Sequence, residues 1–370
     1  MSPVKVVIAI DSFKGCMTSV EANRAAAEGV RGVCPDAEIV QVPVSDGGEG
    51  FLEAFHAAIG GEILEVSVRD PLMRPITARY LLCGDEAVIE IVQASGLMLL
   101  TPEERNPMVA TSYGTGQLVA DAVRRGAKHV IVGLGGSATS DAGVGMLQAL
   151  IESLPPAPSH RGGVQRWDDV KEIRDVTFTI ATDVANPLCG ENGAAQVFGP
   201  QKGATPEMVQ QLDERARRWA EESARHLGYD RSEMAGAGAA GGLGYAFLQY
   251  MDAACKPGIE LLLETIHFSD IVKDADLVIT GEGSADRQTL MGKLPMGILK
   301  QSGGVHSTSS AQVPVCLIAG KVSDREPLLQ AGFAHVECIN PPGIALEEVM
   351  RKEVAERNIR QTIRRLCQLL

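Results

Sequence analysis

Residues 4–30, VKVVIAIDSFKGCMTSVEANRAAAEGV, contain a strand, a short polar loop and the start of a helix, in that order. Val4–Ile10 is apolar except at Lys5, as expected of a strand that is covered on both faces. Thr18-Ser-Val-Glu21 is a capping box, in which the Thr hydroxyl and the Glu carboxylate satisfy free amide groups at a helix start. A strand followed at once by a helix predicts the beginning of a parallel βαβ unit.

The same alternation continues along most of the chain. Further strands are predicted at Ile39–Val44, His129–Leu134, Thr177–Thr182, Leu277–Thr280, Val313–Ala319 and Val336–Ile339. A long helix is predicted after Thr205, because Pro206 suits the first helical position and Gly228 suits the carboxyl end. The last helix is predicted from about Leu346 to Leu370.

The pattern changes between about Glu62 and Ile91. Three short strands, Ile63–Val68, Ile76–Leu82 and Ala87–Ile91, are joined by brief turns and predict a β-meander, which does not fit inside a doubly wound parallel sheet. We therefore predict an α/β protein of two domains. Residues 1–60 and 265–370 would form a Rossmann-like, doubly wound parallel sheet, and residues 61–264 would form an inserted α/β domain with a mixed sheet.

Charge and cysteine usage exclude several function classes. The chain of 370 residues has 34 basic and 47 acidic side chains, a net charge of −13, whereas nucleic-acid and acidic-membrane binders need a surplus of Lys and Arg. The eight cysteines show no zinc spacing, which is typical of reduced thiols in the cytoplasm. Met234–Met251 is uncharged but rich in Gly and Ala, so we predict no membrane span there. We expect a cytoplasmic protein whose partners include neither nucleic acid nor membrane.

Glycine is in excess and its positions are informative. The 40 glycines make up about 11% of the chain, against a usual ~7%. They cluster in seven segments, several of which follow predicted strands: Asp11–Gly15, Ser45–Gly50, Gly133–Asp141, Ala181–Asn186, Phe198–Gly203, Ala235–Gly242 and Thr280–Gly283. In parallel α/β sheets, ligands bind beyond the carboxyl ends of the strands, where glycine lets the backbone approach phosphate. The pattern predicts an anion-binding site.

Charged residues accompany these glycines. Four lysines flank a glycine, as a phosphate-binding lysine would: Lys14, Lys202, Lys293 and Lys321. The alternative for two or more of them is an ordinary surface position. Four acids lie beside glycine or hydroxyl residues, as acids that hold Mg²⁺ or accept a substrate proton would: Asp46, Asp141, Asp183 and Asp286. Asp141 fits a plain helix N-cap equally well.

The familiar catalytic fingerprints do not account for this pattern. Gly292-Lys293 is followed by Leu294 rather than Ser or Thr, which excludes a P-loop. Gly236–Gly241 matches a dinucleotide-binding motif formally, but a helix end rather than a strand is predicted before it. The chain has no Gly-x-Ser-x-Gly elbow and no His-Glu-x-x-His motif.

Taken together, the motifs resemble the ATP-dependent glycerate kinases of the bacterial glycerate 2-kinase type. The resemblance rests on Ile10–Gly15, Ser45–Gly50, Asn106-Pro107 with Thr111–Gly116, Gly135–Thr139, Asn186–Leu188, Phe198–Pro206, Gly236–Gly244, Pro257–Ile259, and Ile279–Gly283 with Gly292-Lys293. It runs in order over nearly the whole chain. It implies two α/β domains with the active site in the cleft between them, and phosphoryl transfer from Mg²⁺-bound ATP to D-glycerate, giving 2-phosphoglycerate.

The chain departs from that family's pattern at three places. Ala142 stands where the family has Gly, and Ile151–Val164 is short and proline-rich. Ser284–Thr289 has the sequence SADRQT, where the family has a basic residue followed by Asp-Gly-Gln-Thr. Either Arg287 replaces the missing positive charge, or the rate or substrate preference has drifted.

The resemblance and the strand-end pattern together give a predicted site. The predicted catalytic residues are Lys14, Asp46 and Asp286. The predicted substrate-binding residues are Asp11, Ser12, Ser45, Gly47, Gly48 and Lys293. The predicted nucleotide-binding residues are Gly135, Gly136, Ser137, Lys202, Gly281, Glu282 and Gly283, and the predicted Mg²⁺ ligands are Asp183 and Asp286.

Two other function classes stay open at this point. The altered Ser284–Gln288 stretch is compatible with a noncatalytic paralogue that binds a hydroxy acid or a nucleotide. The Gly236–Gly241 motif is compatible with a nicotinamide-dependent hydroxypyruvate reductase. The sequence leaves open which aspartate is the general base and whether the chain forms a homodimer.

Overall fold

The computed structural model describes residues 3–45, 48, 50–154, 173–303 and 313–368. The chain divides into two compact units. Unit 1 consists of residues 1–46, 57–59 and 259–370, and unit 2 of residues 47–56 and 60–258. The sequence alone placed these bounds at 1–60 with 265–370 and at 61–264.

The described residues form the following elements in chain order. The strands are β1 (Lys5–Ile10), β2 (Glu38–Gln41), β3 (Glu62–Arg69), β4 (Pro75–Cys83), β5 (Glu86–Glu90), β6 (His129–Gly133), β7 (Thr177–Ala181), β8 (Ala254–Lys256), β9 (Leu277–Ala285), β10 (Val315–Val322) and β11 (His335–Cys338). The helices are α1 (Ser19–Arg31), α2 (Phe51–Ile59), α3 (Val92–Ser95), α4 (Tyr113–Arg124), α5 (Val144–Ser153), α6 (Ala194–Phe198), α7 (Pro206–Leu227), α8 (Ala239–Met251), α9 (Gly258–Thr265), α10 (Phe268–Val272), α11 (Leu294–Gln301), α12 (Arg325–Gln330), α13 (Leu346–Val349) and α14 (Lys352–Cys367).

Unit 1 is built on a five-stranded parallel sheet in the order β11-β10-β9-β1-β2. Val6, Ile8 and Ile10 of β1 pack into one hydrophobic cluster with α1 and α14, while Val7 and Ala9 point to the other face and are fully buried as well. Burial on both faces explains why this strand is apolar without alternation. The predicted doubly wound parallel sheet is confirmed.

The strand order of unit 1 reverses between β1 and β9. The chain passes from β1 to β2 on one side, and β9, β10 and β11 continue on the other side. A ligand of an open α/β sheet binds at such a reversal, beyond the carboxyl ends of the two strands. The topology therefore directs attention to the residues that follow β1 and end β9.

Unit 2 contains a six-stranded mixed sheet in the order β3-β4-β5-β6-β7-β8. Strands β3, β4 and β5 pair antiparallel, as the predicted meander requires, and β5 to β8 pair parallel. The second sheet of the predicted fold is thus confirmed as mixed. The carboxyl ends of its four parallel strands lie at one edge of the sheet.

Two helix starts follow their sequence signals. Thr18 and Glu21 form the predicted capping box of α1, and the Thr205 side chain accepts a hydrogen bond from the Met208 amide at the start of α7. Gly228 ends α7 in a left-handed conformation, with φ of 81°. Among the described residues, no helix combines the length and the apolar character needed to cross a membrane.

The last predicted helix is wrong in one respect, because the structure divides it into α13 and α14. Arg351 is extended, with ψ of 128°, and serves as the N-cap residue of α14. Ion pairs then hold α14 along α1: Lys352 with Glu21, and Arg360 with Glu28. No Gly or Pro separates the two helices, so the break follows from tertiary packing rather than from a local signal.

Strand β9 is longer than predicted and includes Gly281, Glu282 and Gly283. It continues to Ala285 because β10 pairs with it along its whole length, with Lys321 opposite Ser284. Gly281 fits only without a side chain, since a Cβ atom would lie 2.6 Å from the Ile318 carbonyl oxygen. These three residues are therefore strand residues rather than loop residues.

Candidate functional site

The candidate site of unit 1 is a cavity of about 400 Å³ at the reversal between β1 and β9. Six of the residues predicted for the site line it: Asp11, Ser12, Lys14, Glu282, Gly283 and Lys293. The amide of Asp11 donates to the Gly281 carbonyl oxygen at 2.9 Å, which joins the loop after β1 to β9. The parallel sheet thus brings together residues that are about 270 positions apart in the chain.

A buried asparagine and a serine anchor the loops that follow β1 and β2. Asn23 of α1 accepts from the Ile10 amide at 2.9 Å and donates to the Val42 carbonyl oxygen at 2.9 Å. The Ser19 hydroxyl donates to the Ile10 carbonyl oxygen at 2.6 Å and accepts from the Val44 amide at 3.0 Å. These bonds satisfy backbone amide and carbonyl groups at and just beyond the ends of β1 and β2. They thereby hold in place the backbone that leads into Asp11.

Glu282 is held inside this cavity by two partners. The Thr289 hydroxyl donates to Glu282 Oε1 at 2.6 Å, and Lys293 Nζ lies 3.8 Å from Glu282 Oε2. The Asp286 amide donates to the same Thr289 hydroxyl at 3.1 Å. Asp286 is therefore linked to Glu282 through Thr289, although Asp286 does not itself line the cavity.

Three lysines contribute positive charge to this cavity: Lys14, Lys293 and Lys321. Within the part of the chain that the structure describes, neither Lys14 nor Lys321 forms an ion pair with a carboxylate. Arg287, the expected substitute for a missing basic residue, instead lies 3.7 Å from Asp324 and does not line the cavity. Positive charge at this site comes from lysines.

In unit 2, two glycine-rich loops contact each other. Ser137 and Thr139 follow β6, and the hydroxyls of both lie within 3.4 Å of the Ala240 carbonyl oxygen. Gly241 has a left-handed φ of 69°, and a Cβ atom there would lie 1.9 Å from the Thr139 carbonyl oxygen. Gly135 and Gly136 belong to the first of these loops, and Gly136 is also left-handed with φ of 71°. Close backbone approach explains Gly241, and the left-handed backbone explains Gly136.

Lys202 lies behind these loops and not at their surface. Its side chain is buried, and Nζ donates to the Thr139 carbonyl oxygen at 2.6 Å. Burial lowers the pKa of the Lys202 ammonium to about 8, although the nearby Asp141 carboxylate opposes that shift. The ammonium thus supports the loop that carries Ser137 and Thr139.

Asp141 acts as a capping residue in the structure. It accepts from the Gly143 and Gly145 amides at 3.2 Å each, at the start of α5, and from the Ser112 amide at 2.8 Å, just before α4. Asp141 thus caps the first turn of α5 through its side chain, but the N-cap residue of α5 is Gly143 and not Asp141 as the N-cap alternative required. Asp183 is exposed beyond β7. Among the described residues, no group of three or more His, Cys, Asp or Glu side chains is placed to hold a metal ion.

A second buried charge, at Glu90, was not predicted. Glu90 ends β5 opposite Gly133 and is only 2% exposed. Desolvation, followed by the charge of Glu53, raises the pKa of the Glu90 carboxyl to about 7, although hydrogen bonds from Gln93 and from the Phe51 and Gly50 amides oppose the shift. The only sequence signal was an acid at the end of an apolar strand.

Of the predicted residues that follow β2, the structure describes Ser45 and Gly48 only. Ser45 is buried where β2 leads into the next loop, and Gly48 is partly exposed. Asp46 and Gly47 lie outside the described residues, so their roles stay predictions. Lys321, one of the four lysines that the sequence singled out beside a glycine, also lines the cavity. Asn340, which follows β11, lines it too and was not predicted, although strand-end reasoning would have found it.

Unit 2 has a cavity of its own, of about 300 Å³. Val109 and Thr111 line one side, Asp141 and Val144 line the start of α5, and Trp219 contributes from α7. Its lining combines one carboxylate with several apolar side chains. It contains none of the residues predicted for the site.

Comparison with known proteins gives a consistent result. Residues 6–370 match the model of the glycerate kinase family. A glycerate kinase of Halalkalibacterium halodurans is 42% identical, with 96% of this chain and 97% of the relative covered, and the glycerate 2-kinase of Escherichia coli is 40% identical, with 87% and 86% covered. A solved Salmonella typhimurium LT2 structure, assigned as glycerate kinase 2, is 37% identical and has a TM-score of 0.81 over 99% of this chain and 98% of that one. The chain belongs to the glycerate kinase family.

Proposed function

We propose that this chain transfers the γ-phosphoryl group of ATP to the C2 hydroxyl of D-glycerate, giving 2-phosphoglycerate and ADP. The observation that carries the proposal is the unit 1 cavity, where Lys14, Lys293 and Lys321 meet Asp11 and Glu282 at the strand-order reversal. Family membership supports the reaction class, and the name of the Escherichia coli relative supports the position of the phosphate.

In phosphoryl transfer the protein positions the reactants and neutralises charge, and no covalent intermediate with the protein is needed. The C2 hydroxyl oxygen attacks the γ-phosphorus, the bond from phosphorus to the bridging oxygen of ADP breaks, and the hydroxyl proton passes to a carboxylate. We assign that proton to one of Asp46 and Asp286, and assign to Lys14 the stabilisation of negative charge on the transferred group. Gly281 and Gly283 would let the backbone of β9 approach the phosphates closely.

The donor set of the cavity fits Mg²⁺ as a partner of the nucleotide. Mg²⁺ prefers oxygen ligands and is usually held by one or two carboxylates together with substrate phosphates and water. Asp11 and Glu282 are the two carboxylates that line the cavity, and Asp286 is linked to Glu282 through Thr289. When bound, Mg²⁺ would neutralise phosphate charge; Asp183 stays a predicted ligand from unit 2.

The decisive experiment is ³¹P NMR of the product formed from D-glycerate, ATP and Mg²⁺, which distinguishes 2-phosphoglycerate from 3-phosphoglycerate. Lys14→Ala and Asp46→Asn should each lower kcat by about a hundredfold or more, because each removes a group that acts in the transition state. Lys300→Ala, at an exposed position in unit 1, is the matched control and should keep the wild-type rate. Near-normal turnover of both site variants would contradict the assignment.

The same preparation tests the two other function classes. A noncatalytic paralogue would bind glycerate or ATP but leave both unconsumed. A reductase would change the absorbance of NADH with hydroxypyruvate. The structure gives the reductase no support, since turns rather than a strand precede Gly236.

A further inference from the structure

The cavity of unit 1 has two chemically different halves. The polar half carries the three lysines with Asp11, Ser12 and Glu282. The other half is apolar and is formed by side chains of α11, α13 and the residues that follow β11 and α13: Leu294, Ile339, Leu346, Val349 and Met350. We call this second half the apolar wall. A ligand that fills the cavity must match both halves.

Part of the apolar wall is open to water. Leu346 is 73% exposed and Met350 is 37% exposed, while Val349 between them is buried. A contiguous apolar patch that is rimmed by polar residues marks a binding site such as a ligand-binding groove, whereas singly exposed apolar residues do not. The apolar wall is therefore suited to pack against a flat or bulky apolar part of a ligand.

Glycerate, whose predicted contacts Asp11 and Ser12 lie in the polar half, does not account for the apolar wall, because it is a small monoanion with two hydroxyl groups and no apolar part. The lysines also exceed what one carboxylate needs: Lys14 and Lys321 form no ion pair within the described residues, and Lys293 lies 3.8 Å from Glu282. A nucleoside triphosphate offers both a polyanionic chain and a flat heterocyclic base.

We propose that the unit 1 cavity is the nucleotide site, with the base packed on Leu346, Val349 and Met350 and the phosphate chain directed to Lys14, Lys293 and Lys321. The inference deepens the proposed kinase function and rests on it. It adds a base-binding surface to the phosphate-binding lysines that the sequence indicated, Lys321 among them.

The backbone supports Lys321 at this position. Lys321 pairs with Ser284 across β10 and β9, and the preceding residue, Gly320, accepts a hydrogen bond from Asn340 at 2.8 Å. Asn340 in turn accepts from the side-chain amide of the buried Asn358 at 3.1 Å. The chain therefore holds the end of β10 rigidly beside the end of β9, which suits a phosphate contact.

The test separates the base from the phosphates by comparing two probes on the full-length chain. Calorimetry gives the Kd of ADP and of inorganic tripolyphosphate, which has no base. Leu346→Ala combined with Met350→Ala should raise the Kd of ADP about tenfold through lost apolar contact and leave that of tripolyphosphate unchanged. Lys321→Met should weaken both probes by a similar factor.

Two controls complete the design. Leu346→Met keeps the wall apolar and should bind ADP as the wild type does. Met98→Ala removes a methionine of unit 2 that is even more exposed, at 87% against 37% for Met350, and should change neither Kd. Circular dichroism checks that each variant folds.

Steady-state kinetics distinguishes failure of this inference from failure of the proposed function. The wall variant should raise KM for ATP and leave KM for glycerate within twofold. An unchanged Kd for ADP in the wall variant, or a rise in KM for glycerate alone, would overturn the inference even in an active kinase. Weaker ADP binding in a chain that phosphorylates no glycerate would leave the nucleotide site standing and reject the kinase.

Discussion

Replacing Lys202 by Met should change how the stability of unit 2 depends on pH. The folded pKa of Lys202 is about 8 against a usual 10.5, because its ammonium is buried with one hydrogen bond to the Thr139 carbonyl oxygen. A lowered pKa means that the folded state binds fewer protons than the unfolded state between these two values. The free energy of unfolding of the wild type therefore rises with pH across that window.

The magnitude follows from the two pKa values. At pH 7 both states are protonated, and the shift of 2.5 units between 10.5 and about 8 costs the fold about 3 kcal/mol. Most of the folded-state lysine is neutral by pH 9.5, where about 2 kcal/mol of that cost is removed. Lys202→Met has no such group, so the difference in stability between wild type and variant should change by about 2 kcal/mol from pH 7 to pH 9.5.

Urea unfolding followed by tryptophan fluorescence measures the free energy of unfolding of unit 2 at each pH. Trp219 belongs to α7 of unit 2 and stacks on Tyr250, so its fluorescence reports on the packing of that unit. Lys128→Met, at an exposed position of the same unit, should follow the wild-type pH dependence. Lys202→Gln is a second variant for the case in which Lys202→Met does not fold, because its side-chain amide can still donate to the Thr139 carbonyl oxygen. Parallel pH curves for wild type and both Lys202 variants would refute the reasoning.

Three further predictions use the same unfolding assay. Glu90→Gln should remove a fall in stability of up to about 3 kcal/mol between pH 4.5 and 7, because the raised folded pKa of about 7 makes the folded state bind the extra proton there; a wild type with no such fall contradicts it. Gly241→Ala should destabilise unit 2 by more than about 2 kcal/mol, since the new Cβ would lie 1.9 Å from the Thr139 carbonyl oxygen; wild-type stability would show that the loop yields. Ala142→Gly should change stability by less than about 1 kcal/mol, because relief of a left-handed φ of 53° offsets the added chain entropy of glycine; a larger loss would mean that the Ala142 methyl group is an essential packing contact.

The left-handed φ of Ala142 also explains a departure noted in the sequence. The family resemblance led us to expect Gly at this position, and the backbone there has the conformation that glycine adopts freely. The sequence could not show this, since nothing in the local stretch requires a positive φ. Ala142 keeps the conformation because its amide donates to the Gly241 carbonyl oxygen at 3.1 Å, a contact made about 100 residues away.

The sequence predicted strands such as β1 and β6 because each is a run of apolar residues buried on both faces. It was less accurate where a strand continues into polar residues. The predicted Val313–Ala319 is β10 at Val315–Val322, and its last residues, including Lys321, are held by pairing with β9 rather than by their own hydrophobicity. Strand ends are where parallel sheets place ligands, so the bounds of β9 and β10 were least accurate at the end that lines the cavity, although several residues there were predicted.

The burial of Glu90 and Lys202 in unit 2 could not be predicted from the sequence, for the same physical reason in both cases. Glu90 and Lys202 owe their altered pKa values to desolvation, which depends on what the remaining chain packs around them and not on neighbouring residues in sequence. Together they cost the fold several kcal/mol near neutral pH, a large share of the ~5–15 kcal/mol by which a domain is stable. Glu90 ends β5, and Lys202 supports the loop after the adjacent strand β6. Buried groups with perturbed pKa values that lower stability are often found at functional sites. The edge of the mixed sheet near Glu90 and Lys202 is therefore the part of unit 2 to test for a role in catalysis.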